Sequence, residues 1–372
     1  MRKRLLSALL VLCMVLTLLP GTAFAAETSG KCGDSINWYL QNDGTLLLDG
    51  NGETYDYGWY WFKDEAPWYD LSDQIKGINV QGNITYLGTA LFSSCTNAVG
   101  ITLPGSIEEI ASDALPQYGA CQYVIVGSGG NFVGDGGVLY VKDAAQYNYE
   151  EYNGKYGLVY YPPALQQEKY TLDSKTEVIA GSFSSNPYLE EVTLNGKLVE
   201  IGYSAFAGCS NLRTVNIPYG LKKIENMAFS DCASLTDISL PESLISLGQS
   251  AFAFCDSLKK IIVPASVTEI DNGVYGGDGL AIAPDEYKEW YFLGNAPKMT
   301  HGYWIEGLGI VNGEHSLLST RIYYPENASG WAEFIKNFVP DSLVKIEFVP
   351  YSSIEPDDIA AIKELARPLA AT

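Results

Sequence analysis

Only two histidines, His301 and His315, occur in the 372 residues, fourteen apart in a stretch without periodic pattern. A histidine-ligated metal or a nucleophile–histidine pair needs partner side chains at matching spacing; the sequence shows none, so both histidines read as loop residues. Asp49-Gly50-Asn51-Gly52-Glu53 alternates oxygen-bearing residues as a calcium loop does. The glycine such a loop needs sixth is Thr54 and the glutamate it needs twelfth is Tyr60, so a turn is expected instead. Glu108-Glu109, Glu150-Glu151, Glu190-Glu191 and Asp357-Asp358 offer paired carboxylates, the chemistry of glycoside hydrolysis. Neighbours on a strand point to opposite faces, so these pairs do not flank one sugar and read as solvated surface. The glycines between Gly127 and Gly137 lack the strand-to-helix setting of a phosphate cradle. No catalytic residue, metal ligand or cofactor is therefore expected; an extracellular hydrolase is the disfavoured alternative. What remains is recognition chemistry, carried by aromatic and outward-facing polar side chains.

A repeat positions those side chains. Ala205-Phe206, Ala228-Phe229 and Ala251-Phe252 recur every 23 residues, in step with Cys209, Cys232 and Cys255 and with Pro218, Pro241 and Pro264. A period of this length marks units that cannot bury their own apolar face and must stack on their neighbours. Each unit reads L-x-x-[VI]-x-[ILV]-P, a turn, a second apolar pair, then A-F-x-x-C. Traced backwards, Ile75, Ile78 and Val80 open the first unit and Ala98, Ile101 and Leu103 the second. The next step reaches Cys121, which falls in the leucine column. Residues 127–166 interrupt the pattern, and Val138-Leu139-Tyr140 with Leu158-Val159-Tyr160-Tyr161 predict a β-hairpin projecting from one turn. Periodicity resumes at Tyr170 and Leu172 and decays at Val274-Tyr275, which bounds the repeats to 75–280.

Arg2, Lys3 and Arg4, an apolar run from Leu5 to Leu19 and Ala23-Phe24-Ala25 predict a signal peptide over 1–25, hence an exported chain. No later stretch holds the roughly 20 apolar residues of a membrane span. All 44 acidic residues but only 20 of the 23 basic ones follow the leader, leaving a formal charge of −24. Such a surface repels nucleic acid and anionic lipid. Residues 26–74, with a hairpin signal at Asp43-Gly44 and the tryptophans Trp59, Trp61 and Trp68, predict an N-terminal aromatic cap. Strand-like runs at 291–293, 310–311, 321–324 and 344–346 predict a C-terminal cap over 281–350, and Ile359, Ile362 and Leu365 a short helix in the tail, 351–372. Six cysteines follow the leader. Cys95, Cys209, Cys232 and Cys255 share one column, where parallel side chains suit disulfides poorly, so buried free thiols are expected. Cys32 stays unassigned.

Leu212-x-x-Val215-x-Ile217-Pro218, Leu221-x-x-Ile224 and Ala228-Phe229-x-x-Cys232 resemble the BspA-type leucine-rich repeats of bacterial exported and surface proteins. The flanks are similar too: Cys32-Gly33 with Asp43-Gly44-Thr45-Leu46, Ala66-Pro67-Trp68, Gly136-Gly137-Val138-Leu139-Tyr140, Gly294-Asn295-Ala296-Pro297 and Tyr323-Tyr324-Pro325. The resemblance implies a β-rich solenoid, a right-handed superhelix of about eight 22–23-residue turns with parallel strands between two caps. It also implies surface display, adhesion or protein binding, and carries no catalytic motif.

In L-x-x-V-x-I the apolar residues face the core and the alternating ones face outward. The outward columns are Glu191, Thr193, Thr214 and Asn216, then Asp237, Ser239, Lys260 and Ile262. Eight turns at the inter-strand spacing of roughly 4.8 Å give a strip on the order of 40 Å, long enough for an extracellular protein or an extended glycan. A second candidate surface is the insertion tyrosines Tyr147, Tyr149, Tyr152 and Tyr156, which lie among polar residues and could stack on sugars or anchor a partner. The tryptophans of the cap read as its packing.

Overall fold

Each repeat spends its valine and isoleucine at period two, which suits a strand, and Pro218, Pro241 and Pro264 withhold the amide that would extend it. The strands are accordingly short. The computed structural model describes residues 28–58, 65–111, 113–146, 153–270, 288–299, 310–311, 314–315, 318–337, 344–354, 359–360 and 362. The predicted leader, most of the tail helix, Trp59, Trp61, His301, Tyr147, Tyr149 and Tyr152 lie outside them.

The first sheet opens with an antiparallel meander of β1 (Thr28–Gly33), β2 (Ile36–Leu40) and β3 (Thr45–Glu53). Strand β4 (Gly77–Leu87) then runs parallel to β3, with Leu46 opposite Ile78 and Leu48 opposite Val80. β5 (Gly100–Leu103) and β7 (Tyr123–Val126) follow in parallel, setting Ile78, Ile101 and Val124 in one row. The short β6 (Glu109–Ile110) pairs with the far end of β4, so β4 carries both strand positions of a repeat. Trp68 is buried, edge-on to Trp38 at 5.7 Å and stacked on Phe92 at 5.9 Å, in line with its reading as packing.

The interruption is built differently from a projecting hairpin. β8 (Phe132–Asp135), β9 (Val138–Val141) and β10 (Gly157–Tyr160) form an antiparallel set, and β10 pairs in parallel with β12 (Val178–Ser182), beyond β11 (Lys169–Thr171). Gly136 and Gly137, at φ +58° and +89°, make the two-residue turn between β8 and β9 that needs positive φ at both positions. All four residues of β9 and of β10 are buried. Val138, Tyr140, Leu158 and Tyr161 pack into one hydrophobic core with the later repeats. Leu139, Val141, Val159 and Tyr160 pack into a separate core with the earlier ones. The insertion is thus a septum between two cores. Its apolar residues are consecutive rather than alternating, the pattern of a strand covered on both faces.

Beyond the septum the repeats alternate between two sheets. The first strand position is filled by β11, β13 (Glu191–Thr193) and β15 (Thr214–Asn216). The second is filled by β12, β14 (Glu200–Ile201), β16 (Lys223–Ile224) and β17 (Ser246–Leu247). β18 (Lys260–Val263) and β19 (Glu269–Ile270) complete the last regular unit. The region expected to lose the repeat continues the sheet: β20 (Lys288–Phe292) pairs parallel with β18, and β21 (Lys298–Met299) with β19. After the short pair β22 (Ile310–Val311) and β23 (Glu314–His315), β24 (Leu318–Tyr324) and β25 (Val344–Pro350) add two more parallel strands around the helix α1 (Trp331–Asn337). Ile261, Trp290, Ile322 and Phe348 stand in one row, so the steps lengthen to 29, 32 and 26 residues while the register holds.

Inside the units, Phe183, Phe206, Phe229 and Phe252 stack at 4.6, 5.1 and 5.6 Å. The amides of Phe183, Phe206 and Phe229 donate to the alanine carbonyl one unit on, as Phe206 to Ala228 at 2.7 Å. The thiols of Cys209, Cys232 and Cys255 donate to the carbonyls of Phe183, Phe206 and Phe229 at 3.1, 3.1 and 3.0 Å. All six described cysteines, Cys32 and Cys121 included, are buried, and no disulfide joins any two of them.

Candidate binding strip

Registered strands turn the outward positions into two columns. One runs Lys169, Glu191, Thr214, Asp237, then Lys260, Glu289, Arg321 and Glu347. The other runs Thr171, Thr193, Asn216, Ser239, then Ile262, Tyr291, Tyr323 and Val349. All eight sequence-predicted strip residues therefore fall on one sheet face. Thr214, Asn216, Asp237 and Ser239 are exposed, while Glu191, Thr193, Lys260 and Ile262 are half-buried. Asp237 and Ser239 hold their places through single bridges to Thr214 and Ile262 rather than through a full strand.

The two halves of the strip differ chemically. In the first, Lys169 donates to Glu191 in an exposed ion pair that holds the lysine above its ordinary range. Thr214, Asn216, Asp237 and Ser239 make no side-chain hydrogen bond among the described residues, leaving donors and acceptors open. In the second half, Tyr291 and Tyr323 stack at 4.4 Å and both donate to Glu289, at 2.9 and 3.1 Å. Burial first, then the Glu289 carboxylate, pushes both phenols up. The ammonium of Lys260 lies 4.6 Å over the Tyr291 ring. Arg321 donates to Glu347 at 2.9 Å.

The apolar half is already covered. Tyr291, Tyr351 and Ile362 form a third buried cluster, against which Ile262, Tyr323, Ile354 and Ile359 pack. The Tyr351 hydroxyl donates to the Phe292 carbonyl at 2.7 Å. Ile262 thus packs against a cluster that the C-terminal segment helps to form, and the open strip is limited to the strands from Lys169 to Lys260, about 19 Å at the usual inter-strand spacing. The sequence signal for the extended columns lies in Lys260-Ile261-Ile262-Val263, Glu289-Trp290-Tyr291-Phe292 and Arg321-Ile322-Tyr323-Tyr324, which repeat a charged–apolar–x–apolar pattern.

Of the insertion tyrosines, only Tyr156 is described. It is half-buried, stacked on Tyr140 at 5.6 Å, and burial pushes its phenol up to about 12. One ring face is therefore spent on packing. The Glu108-Glu109 pair borders an acidic hollow of about 240 Å³ with Glu53 and Asp56, and no group of side chains able to hold a metal ion occurs among the described residues.

Residues 68–135 and 165–280 match the BspA type leucine rich repeat region in six copies. The chain is a BspA-type leucine-rich repeat protein. Among solved structures, this repeat protein is similar to the pneumococcal vaccine antigen PcpA, with a TM-score of 0.50 and 16% identity over 87% of this chain and 99% of that one. A leucine-rich repeat protein from Bacteroides ovatus gives 0.40 and 19% over 87% and 79%. One from Eubacterium ventriosum gives 0.29 and 20% over 69% and 96%. At these identities the likeness concerns fold alone. No curated protein matches the repeat protein. No helix among the described residues is long and apolar enough to cross a membrane.

Proposed function

We propose that this protein is an exported, non-catalytic binding protein of the cell exterior, which engages a partner protein through the open part of its outward strip. In this reading the chain is a right-handed solenoid of about eight turns closed at both ends, and it acts by adhesion. The observation that carries the reading is the set Thr214, Asn216, Asp237 and Ser239: exposed, in register on neighbouring strands, and left unbonded by their own fold.

The test is capture of extracellular material by the protein lacking residues 1–25, against a variant carrying Asn216→Ala and Asp237→Lys. We expect a specific protein partner whose retention falls at least about tenfold in the variant, as loss of central polar contacts does at interfaces. Undiminished capture by the variant removes the strip as the site. Turnover of a peptide or glycoside panel by the intact protein removes the non-catalytic reading.

A further inference from the structure

We propose that the open strip accepts an extended polyproline II segment bearing a cationic side chain at every third residue. The inference rests on the strip being the binding surface and names the ligand chemistry it fits. A ligand lying across the strands meets a new rung every 4.8 Å or so, so two rungs span about 9.6 Å. A polyproline II helix rises about 3.1 Å per residue with three residues per turn, about 9.3 Å. Over four rungs the two periods slip by only about 0.6 Å. An α-helix, with a pitch of about 5.4 Å, slips by about 2.4 Å over the same length. A β-strand, repeating a face every 6.6 Å or so, falls out of step at once.

The charges carry the same period. Glu191 and Asp237 are two rungs apart in one column, with the neutral Thr214 between them. A cation at every third residue of the ligand would meet one carboxylate and then the other. Lys169 already neutralises Glu191, but a pair this exposed contributes little and yields readily to a competing cation. Beside the carboxylates stand Thr193, Thr214, Asn216 and Ser239, whose hydroxyl and amide groups can donate. Polyproline II makes no internal hydrogen bonds, so its carbonyls are free to accept them, and its preformed shape lowers the ordering cost of binding. Ile262 ends the polar surface where the C-terminal segment begins, which bounds the site to about two turns of the ligand.

The experiment compares two labelled peptides by fluorescence anisotropy with the protein lacking residues 1–25. One is Pro-Pro-Lys repeated four times; the other has the same composition with its lysines in adjacent pairs. The spaced peptide is expected to bind at least about tenfold tighter, and Asp237→Asn and Glu191→Gln each to weaken it several-fold. Glu269→Gln, in the second sheet, is expected to leave it unchanged. Circular dichroism confirms that each variant folds. Equal binding of both peptides overturns the proposal in favour of bulk charge, as does binding insensitive to Asp237→Asn, and binding of neither peptide overturns it outright. If the peptides fail while partner capture is still lost in the Asn216→Ala, Asp237→Lys variant, the ligand class is wrong and the strip stands; if capture is also unaffected, both fail.

Discussion

Asn186 stands three residues after Phe183, the place that Cys209, Cys232 and Cys255 hold after their own phenylalanines. A cysteine there has one carbonyl to satisfy, that of the phenylalanine one unit back. Below Asn186 lies the end of the insertion, where two carbonyls face it, Pro162 and Leu165, and its amide donates to both at 3.1 Å. Its oxygen accepts from the amides of Tyr188 and Leu189 at 2.9 and 3.0 Å. Asn186→Ala strands buried groups on both sides, and a loss of about 2–4 kcal/mol is expected in urea unfolding. Asn186→Cys should recover only part of that. The thiols set a pH limit as well. Burial pushes Cys32, Cys95 and Cys209 up to about 12 and Cys121 up to about 11. An unfolded thiol loses its proton near pH 8.5–9, whereas the native ones keep theirs. Stability is therefore full below about pH 8.5 and falls as pH rises toward 12, by up to about 1.4 kcal/mol per pH unit for each such thiol. Unfolding midpoints flat between pH 9 and 11 would contradict this.

At the scale of one repeat, the stacked phenylalanine is flanked by strained backbone. Ser204, Met227 and Ser250, two residues before their phenylalanines, have φ of 52°, 58° and 52°. The left-handed conformation lets the amides of Ser204 and Met227 reach carbonyls of the next unit, Asn226 at 3.0 Å and Gln249 at 2.7 Å. Ser250→Gly relieves that strain at an entropic cost, so a change of no more than about 1 kcal/mol, in the stabilising direction, is expected from thermal melts. Phe229→Ala removes a ring stacked on both sides and should cost about 3–5 kcal/mol. The ring, thiol and strand columns were legible because Phe206, Cys209 and Leu212 return at fixed spacing, and so were the outward residues between them. Longer steps hid the continuation through Trp290 and Ile322, where only the alternation survives. The clustering of Tyr291 with Tyr351 and Ile362, against which Ile262 packs, could not be read at all, because it joins residues 60 and 71 positions apart without shared periodicity. Asn186 was legible in principle, being in the cysteine column, yet its purpose depends on the insertion's carbonyls.

Across the whole molecule, the septum decides how the repeats cooperate. Leu158 and Val159 are neighbours in sequence, yet Leu158 packs with Phe183 and the later repeats and Val159 with the earlier ones. Val159→Ala should raise hydrogen exchange chiefly in β5 and β7, and Leu158→Ala chiefly in β13 and β15, as expected of partly independent cooperative units. Uniform loss of protection from either substitution would show one unit. Because β9 and β10 close both cores with their own side chains, each block of repeats ends on a finished surface. Adding or deleting a single unit between residues 189 and 263 would then move the C-terminal strands by about 4.8 Å while leaving everything before the septum as it was. The insertion works as the fixed zero of a ruler, and the reach of the strip is set by how many units are counted from it.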